Sequence, residues 1–398
     1  MDWQTSEETV PSAFVTEISA RSLGAPPITG AWRDGDHPGN RRFAQIGDLT
    51  LDTGEVLPRA RIAYETWGTP NADFSNAVLI IHSLTADSHL VGPAGPGHAT
   101  DGWWNTVVGD GLAVDTRKWF VVCPNTLGGC QGSTGPSTVT SDGREWGSRF
   151  PYLTVRDQTR ALTKLADELG VTRWAAVIGG SAAGMSALEY AVTHPDAVER
   201  LGLLATTAVT SADQISLNAI QMEAIRMDPL FNGGDFYDQD EGPFRGLALA
   251  RRMAMMSYRA PAEFNDRFDR AWQSEISPLG SGGRFAVESY LDFHGNKFTR
   301  RFDANSYISL VEAMNSHDIS RDRGSVHDVL ATVTAKALVV GIDSDRCFPL
   351  EQQIALAEHL PNHLGGRDAF VMSSPFGHDA FLIDDETTGS LLRQLLDA

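Results

Sequence analysis

Five short apolar runs punctuate the chain, and each is bounded by polar or turn-forming residues. They are Ala77-Val78-Leu79-Ile80-Ile81, Trp119-Phe120-Val121-Val122, Trp174-Ala175-Ala176-Val177-Ile178, Leu201-Gly202-Leu203-Leu204 and Ala337-Leu338-Val339-Val340. Runs this short and this continuously apolar suit strands covered on both faces, the environment of a parallel sheet. Between them the polar–apolar spacing turns helical. TVRDQTRALTKLADELG over 154–170 has a 3.6-residue rhythm and stops at Gly170, a residue suited to a helix C-terminus. The alternation of strand and helix predicts an α/β fold, a mostly parallel sheet with helices on both faces.

From about 208 to 325 this rhythm breaks. Helical patterns such as Gly246–Tyr258 dominate there and strand-like runs are few, which predicts a helical lid inserted between two late strands. The expected organisation is a leader over 1–40, rich in Pro, Gly and charge, and a first core segment over 41–207. The lid over 208–325 and a second core segment over 326–398 follow. No internal repeat or low-complexity tract interrupts this plan.

Composition narrows the function classes. The 398 residues carry a formal net charge of −19, which provides no basic field for nucleic acid. Local arginines can still hold a small anion. The three cysteines, Cys123, Cys130 and Cys347, match no zinc spacing, so no metal is expected. Their odd, low number fits a reducing cytoplasm. The N-terminus lacks the basic start and apolar stretch of a signal peptide, and no run reaches the roughly 18 apolar residues of a membrane helix.

The chemistry enters at Gly179-Gly180-Ser181-Ala182-Ala183-Gly184, directly after the apolar run 174–178 and before an amphipathic helical pattern from Met185 to Val192. A serine on so sharp a strand-to-helix turn requires small residues two positions to either side, and Gly179 and Ala183 supply them. The turn sets the serine at a helix N-terminus, where the dipole favours an oxyanion. A glycine-rich turn holding an incidental serine is the bland alternative. No complete nucleotide-binding glycine motif is present.

A nucleophilic serine of this kind takes its partners in the chain order serine, acid, histidine. After the run 337–340 come Asp343 and Asp345, and after Ala369–Met372 comes Ser374-Pro375-Phe376-Gly377-His378-Asp379. Loops at the carboxyl ends of successive parallel strands are where such folds carry functional groups. A lone loop histidine is usually solvated, but three matching contexts in the right order argue for a triad. Spacing alone leaves Asp343 and Asp345 equivalent. The loop after the early strand, Ile81-His82-Ser83-Leu84, offers the Leu84 amide as an oxyanion donor beside that of Ala182. His82 and His89 read as structural or supporting groups, because His378 already fills the role of base.

At this point several long runs match a known family. AYETWGT (63–69), GPAGPGHATDGWWN (92–105), NTLGGCQGSTGPS (125–137), WGSRFPYLTVRDQ (146–158), GGSAAGMSALEYAVTHPD (179–196), RFAVESYLDFHGNKFTRRFDANSY (284–307) and SPFGHDAFL (374–382) carry the resemblance. From about residue 40 onward the chain resembles the homoserine O-acetyltransferases of methionine biosynthesis, particularly the actinobacterial ones, on the α/β-hydrolase fold. The resemblance implies a ping-pong reaction: Ser181 takes an acetyl group from acetyl-CoA and passes it to L-homoserine, with His378 as base and no permanently bound cofactor. It places the triad acid at Asp345, the acceptor's carboxylate at Arg251, a lid tyrosine at Tyr258 and the acceptor's ammonium at Asp379. It also implies a homodimer through the lid. Without it, Arg251 and Tyr258 would read as solvated or packing residues of an amphipathic helix.

Two departures bear on the substrate. The family's elbow usually reads GGSMGG where this chain has Ala182 and Ala183, and its early loop reads HALTGD where Ser83 and Ala86 stand here. The triad is untouched, so the departures leave open another acyl donor such as succinyl-CoA and another acceptor such as L-serine or a specialised-metabolite alcohol. Hydrolysis of an ester is open as well. Arg321, Arg323 and Arg346 are candidates for holding the CoA phosphates.

Overall fold

A computed structural model describes residues 24–398. The chain begins its main sheet with two long strands, β1 (Arg42–Thr50) and β2 (Val56–Trp67), and continues with β3 (Ala77–Ile81). Two short strands, β4 (Val108–Gly109) and β5 (Val114–Asp115), pair separately, and β6 (Phe120–Pro124) rejoins the main sheet. Helix α1 (Val155–Leu169) leads to β7 (Ala176–Gly180), α2 (Ala182–Thr193) and β8 (Arg200–Leu204). The last strands are β9 (Lys336–Ile342) and β10 (Phe370–Met372). The order across the sheet is β1-β2-β6-β3-β7-β8-β9-β10. β1, β2 and β6 pair antiparallel and every later pairing is parallel.

The local rules explain the elements. Thr154 and Asp157 form a reciprocal capping box at the start of α1, and Gly170 ends that helix in the left-handed conformation, φ 77°. All five residues of β3 are buried, and alternate ones point to opposite faces. Leu79 and Ile81 pack with Leu188 of α2 and Leu162 of α1, while Val78 and Ile80 pack with Trp104 and with Leu392 and Leu395 of the C-terminal helix. Each such side chain contributes about 1.5–3 kcal/mol by leaving water. The apolar runs of the central strands are therefore continuous because both sheet faces are covered.

β1 and β2 carry no such run. They form the sheet's antiparallel side, where buried residues such as Leu49, Leu57 and Ile62 are interrupted by exposed ones such as Gln45, Asp48 and Arg59. Both lie in a stretch where the apolar-run pattern predicts no strand.

Between β8 and β9, neighbours in the sheet, the chain builds α3 (Ala212–Arg226), α4 (Phe244–Tyr258), α5 (Pro261–Phe268), α6 (Ala286–Phe298) and α7 (Ala304–Asn315), and then the short helix α8 (Val326–Leu330). Helices α3 to α7 have a core of their own, including Phe236, Leu247, Phe302, Tyr307 and Val311. The expected leader lies partly outside the described residues, which begin at 24. Residues 28–32 cross this helical layer, with Thr29 Oγ1 donating to Asp303 at 2.8 Å and Gly30 N to Phe302 O at 3.1 Å. Among the described residues no helix is long and apolar enough to cross a membrane.

Candidate active site

Ser181 stands between β7 and α2 with φ 61° and ψ −133°, a conformation costly for a residue with a Cβ, about 1–3 kcal/mol. Its surroundings hold it there. Its N–H donates to Leu204 O at 2.9 Å, and its carbonyl accepts from Thr206 Oγ1 at 2.8 Å. The backbone passes so close beneath that a Cβ on Gly179 would lie 2.3 Å from Ala183 O. The Ala182 amide occupies the first position of α2, where no intrahelical acceptor exists.

His378 sits in a tight turn after β10, and Asp345 in the loop after β9. The His378 Nδ1–H donates to Asp345 Oδ2 at 2.7 Å, and Asp345 Oδ1 accepts from the amides of Cys347 and Phe348 at 2.7 and 2.9 Å. Asp343 faces elsewhere: its carboxylate accepts from Ser373 Oγ at 2.7 Å and Ser374 N at 3.1 Å. Geometry thus separates two acids that spacing left equivalent. Among the described residues the buried His378 Nε2 has no hydrogen-bond partner, and it shares a cavity with Ser181 without a formed bond to it. Such a bond commonly tightens only once substrate is bound.

Burial alone would push the His378 pKa down, but the Asp345 carboxylate outweighs it and holds the imidazole above its ordinary 6.5. A base must be neutral to take a proton, so activity should be complete above that raised pKa and disappear as pH falls through it. A profile of kcat/KM against pH is expected to show an acid limb with its midpoint above 6.5.

The cavity, of about 310 Å³, brings together Ser181, His378, Leu84, Arg251, Tyr258 and Asp379. Ala182 lines a smaller space behind the elbow together with Leu84, Val155 and Met314. Arg251 reaches from α4 and its Nη1 donates to Thr85 Oγ1 at 3.2 Å. Its guanidinium lies over the rings of Tyr258 and Phe298, at 5.4 and 5.1 Å, and no ion pair engages it among the described residues. Tyr258 lies 5.9 Å from the His378 ring, and burial raises its phenol pKa well above the usual value. Asp379 forms an ion pair with Arg259 at 3.1 Å; burial raises its pKa, against the pull of that cation.

Two arginines in the cavity wall, Arg259 and Arg301, escape a reading of sequence. The signal available was the paired arginine of FTRRFD, with buried Phe302 and Asp303 immediately after it. The arginines suggested for CoA lie elsewhere. Arg321 pairs with Asp52, Arg323 with Glu189 at 2.6 Å, and Arg346 reaches Met256 O at 3.4 Å; none of them lines the cavity.

The histidines beside the site are occupied structurally. His82 Nδ1–H donates to Ser83 O at 2.8 Å and its Nε2 accepts from Thr126 N at 3.0 Å, while burial lowers its pKa and keeps it neutral. Glu65, His89 and His98 cluster closely enough to suggest a metal site. The facing atoms are engaged within the protein: Glu65 accepts from Ser88 Oγ at 2.8 Å and from His89 Nδ1 at 3.1 Å, and His98 Nε2 accepts from Asn40 N at 3.0 Å.

The chain is similar to proteins of known family. A family model described as the alpha/beta hydrolase fold matches residues 76–385. Homoserine O-acetyltransferase of Leifsonia xyli subsp. xyli is 59% identical, with 100% of each chain covered. That of Thermobifida fusca is 53% identical over 93% of this chain and 97% of its own. Among solved structures, homoserine O-acetyltransferase from Bacillus anthracis superposes with a TM-score of 0.81 at 27% identity, covering 90% of this chain and 97% of that one. An acetylester hydrolase from Corynebacterium glutamicum superposes with a TM-score of 0.75 at 26% identity, covering 91% and 97%. The chain belongs to the homoserine O-acetyltransferase family of the α/β hydrolase fold.

Proposed function

We propose that the protein transfers an acetyl group from acetyl-CoA to the hydroxyl of L-homoserine, a step of methionine biosynthesis. One observation carries this reading. The strained Ser181 and His378, itself bonded to buried Asp345, line a cavity that also presents Arg251, a guanidinium with no ion pair among the described residues, and a carboxylate, Asp379. A plain ester does not require both charges, whereas an amino acid does.

In the first half-reaction Ser181 Oγ attacks the thioester carbonyl and its proton passes to His378 Nε2. The negative oxygen is held by the amides of Leu84 and Ala182. Collapse of the tetrahedral species breaks the carbon–sulfur bond, and His378 returns the proton to the departing thiolate. In the second half-reaction the homoserine hydroxyl attacks the acetyl-serine ester while His378 takes its proton. Breakage of the serine ester then sends that proton back to Ser181 Oγ. Arg251 pairs with the acceptor's carboxylate, Asp379 with its ammonium, and Tyr258 closes the lid side.

The test is thiol release from acetyl-CoA with L-homoserine, with L-serine or with water alone. Homoserine-dependent release with O-acetylhomoserine as product is expected. Equal release without an acceptor would overturn transfer in favour of hydrolysis, the reading that the likeness to an acetylester hydrolase favours. A burst without homoserine turnover would move the acceptor to another alcohol, and preference for succinyl-CoA would change the donor. Arg251→Met is expected to raise KM for homoserine about 10²-fold, more than it lowers kcat, because one partner of a buried charge pair is lost.

The same reading includes a homodimer through the lid, where Ile220, Met227, Trp272, Ile276 and Leu279 are exposed large apolar side chains. Its compartment is the cytoplasm, which suits three unpaired cysteines, two of them buried.

A further inference from the structure

The loop that supplies Leu84 is a tight turn, with Ala86 N donating to Ser83 O at 2.9 Å. Leu84 and Thr85 are its two central residues. The Ser83 end is anchored by the core: its carbonyl accepts from His82 Nδ1–H, and its hydroxyl donates to Gly180 O at 3.3 Å, just before the nucleophile. The other end is anchored by the lid. Arg301 Nη1 donates to the Thr85 carbonyl at 2.7 Å, a short charge-assisted bond, and Arg251 Nη1 donates to the Thr85 hydroxyl.

The Arg301 guanidinium is itself well located. Its backbone carbonyl accepts from Gln131 Nε2 at 2.8 Å, its N–H donates to Phe298 O at 3.1 Å, and its guanidinium lies 5.3 Å from the Phe298 ring centroid. Arg251 lies over the same ring, so one aromatic side chain holds both cations against one threonine. No carboxylate pairs with Arg301 among the described residues. Burial and the neighbouring Arg251 lower its pKa to about 10, leaving it charged at neutral pH.

We infer that Arg301 is a positioning residue for acyl transfer, fixing the Thr85 carbonyl so that the preceding Leu84 amide faces the oxyanion formed on Ser181. The inference rests on Leu84 serving as an oxyanion donor, and it makes the lid a structural part of the oxyanion hole. An oxyanion donor acts only when held at hydrogen-bond distance from the developing charge, and a displacement of about 1 Å at a reaction centre costs about 10²-fold in rate.

The test measures acylation alone, with p-nitrophenyl acetate as probe and the full chain as enzyme. The pre-steady-state burst of nitrophenol reports attack by Ser181 and needs neither CoA nor an amino-acid acceptor. Arg301→Met is expected to slow the burst about 10²-fold. Arg301→Lys, which keeps a cationic donor, should recover at least about tenfold of that loss. The melting temperature of Arg301→Lys should stay near wild type, and its KM for homoserine should change less than its kcat. A burst within about threefold of wild type in Arg301→Met would overturn the inference. So would equal loss of rate and of melting temperature in both variants, since that describes a merely structural arginine. If Arg301→Met does not fold, Arg301→Lys against Arg301→Gln gives the same comparison. Failure of wild-type enzyme to acetylate homoserine would sink the proposed function while leaving the burst comparison to decide the role of Arg301.

Discussion

Ser181→Ala is expected to reduce acetyl transfer at least about 10⁴-fold, because removal of a nucleophile leaves only the contribution of the oxyanion donors and binding. The substitution deletes one oxygen and leaves the elbow in place. Alanine at φ 61° bears the same Cβ strain as serine, and the contacts that hold the turn use the backbone N–H and carbonyl of residue 181. Stability should therefore hardly change, and a melting temperature within a few degrees of wild type would separate lost chemistry from lost fold. The decisive measurement is intact-protein mass after brief mixing with acetyl-CoA. Wild type should carry an acetyl adduct when acceptor is withheld, and the variant none. An adduct of equal size on the alanine variant would place the nucleophile elsewhere.

Asp345→Asn is the second large effect, about 10⁴-fold in kcat. The asparagine oxygen can still accept from the Cys347 and Phe348 amides, so the loop should keep its shape. Its amide nitrogen, however, would face His378 Nδ1 with a donor. The imidazole would then carry its proton on Nε2, the nitrogen that must take one from Ser181. Loss of the carboxylate also removes the charge that raises the His378 pKa, so any residual activity should show an acid limb shifted to lower pH. Asp343→Asn, by contrast, touches only the Ser373–Ser374 turn and should stay within a few-fold of wild type. Equal losses in the two variants would mean that the loop matters as a whole and that the separation of the two acids has been misread.

How far the residues announce this arrangement depends on what each one faces. The parallel strands are legible because both faces are buried, so their apolar runs have no gaps. The β1–β2 edge is not, since half of its residues meet solvent and its pattern resembles ordinary loop sequence. Ser181 declares itself through the small residues that its turn demands, a strictly local requirement. Which of Asp343 and Asp345 turns toward His378 depends on the path of a loop of a few residues, and backbone amides at Cys347 and Phe348 hold Asp345 there. Arg259 and Arg301 were hidden for a different reason. On an amphipathic helical layer an arginine usually points to water, and only tertiary packing brings these two to Asp379 and to Thr85.

The helical layer leaves and rejoins the rest of the chain side by side: Val209 and Asp318 form an antiparallel bridge, with Thr210 N donating to His317 O at 2.9 Å and Ile319 N to Ala208 O at 3.2 Å. Entry and exit are thus held a single strand spacing apart at that bridge, whatever lies between. Closing a chain segment costs only about 0.6 kcal/mol more for each doubling of its length. Residues 211–316 can therefore lengthen, shorten or be exchanged with little penalty to the sheet that carries Ser181, Asp345 and His378. Descent with modification would be expected to exploit that seam: the acid–base machinery is inherited as a fixed part, and new acceptors are gained by replacing the module plugged in between two strands.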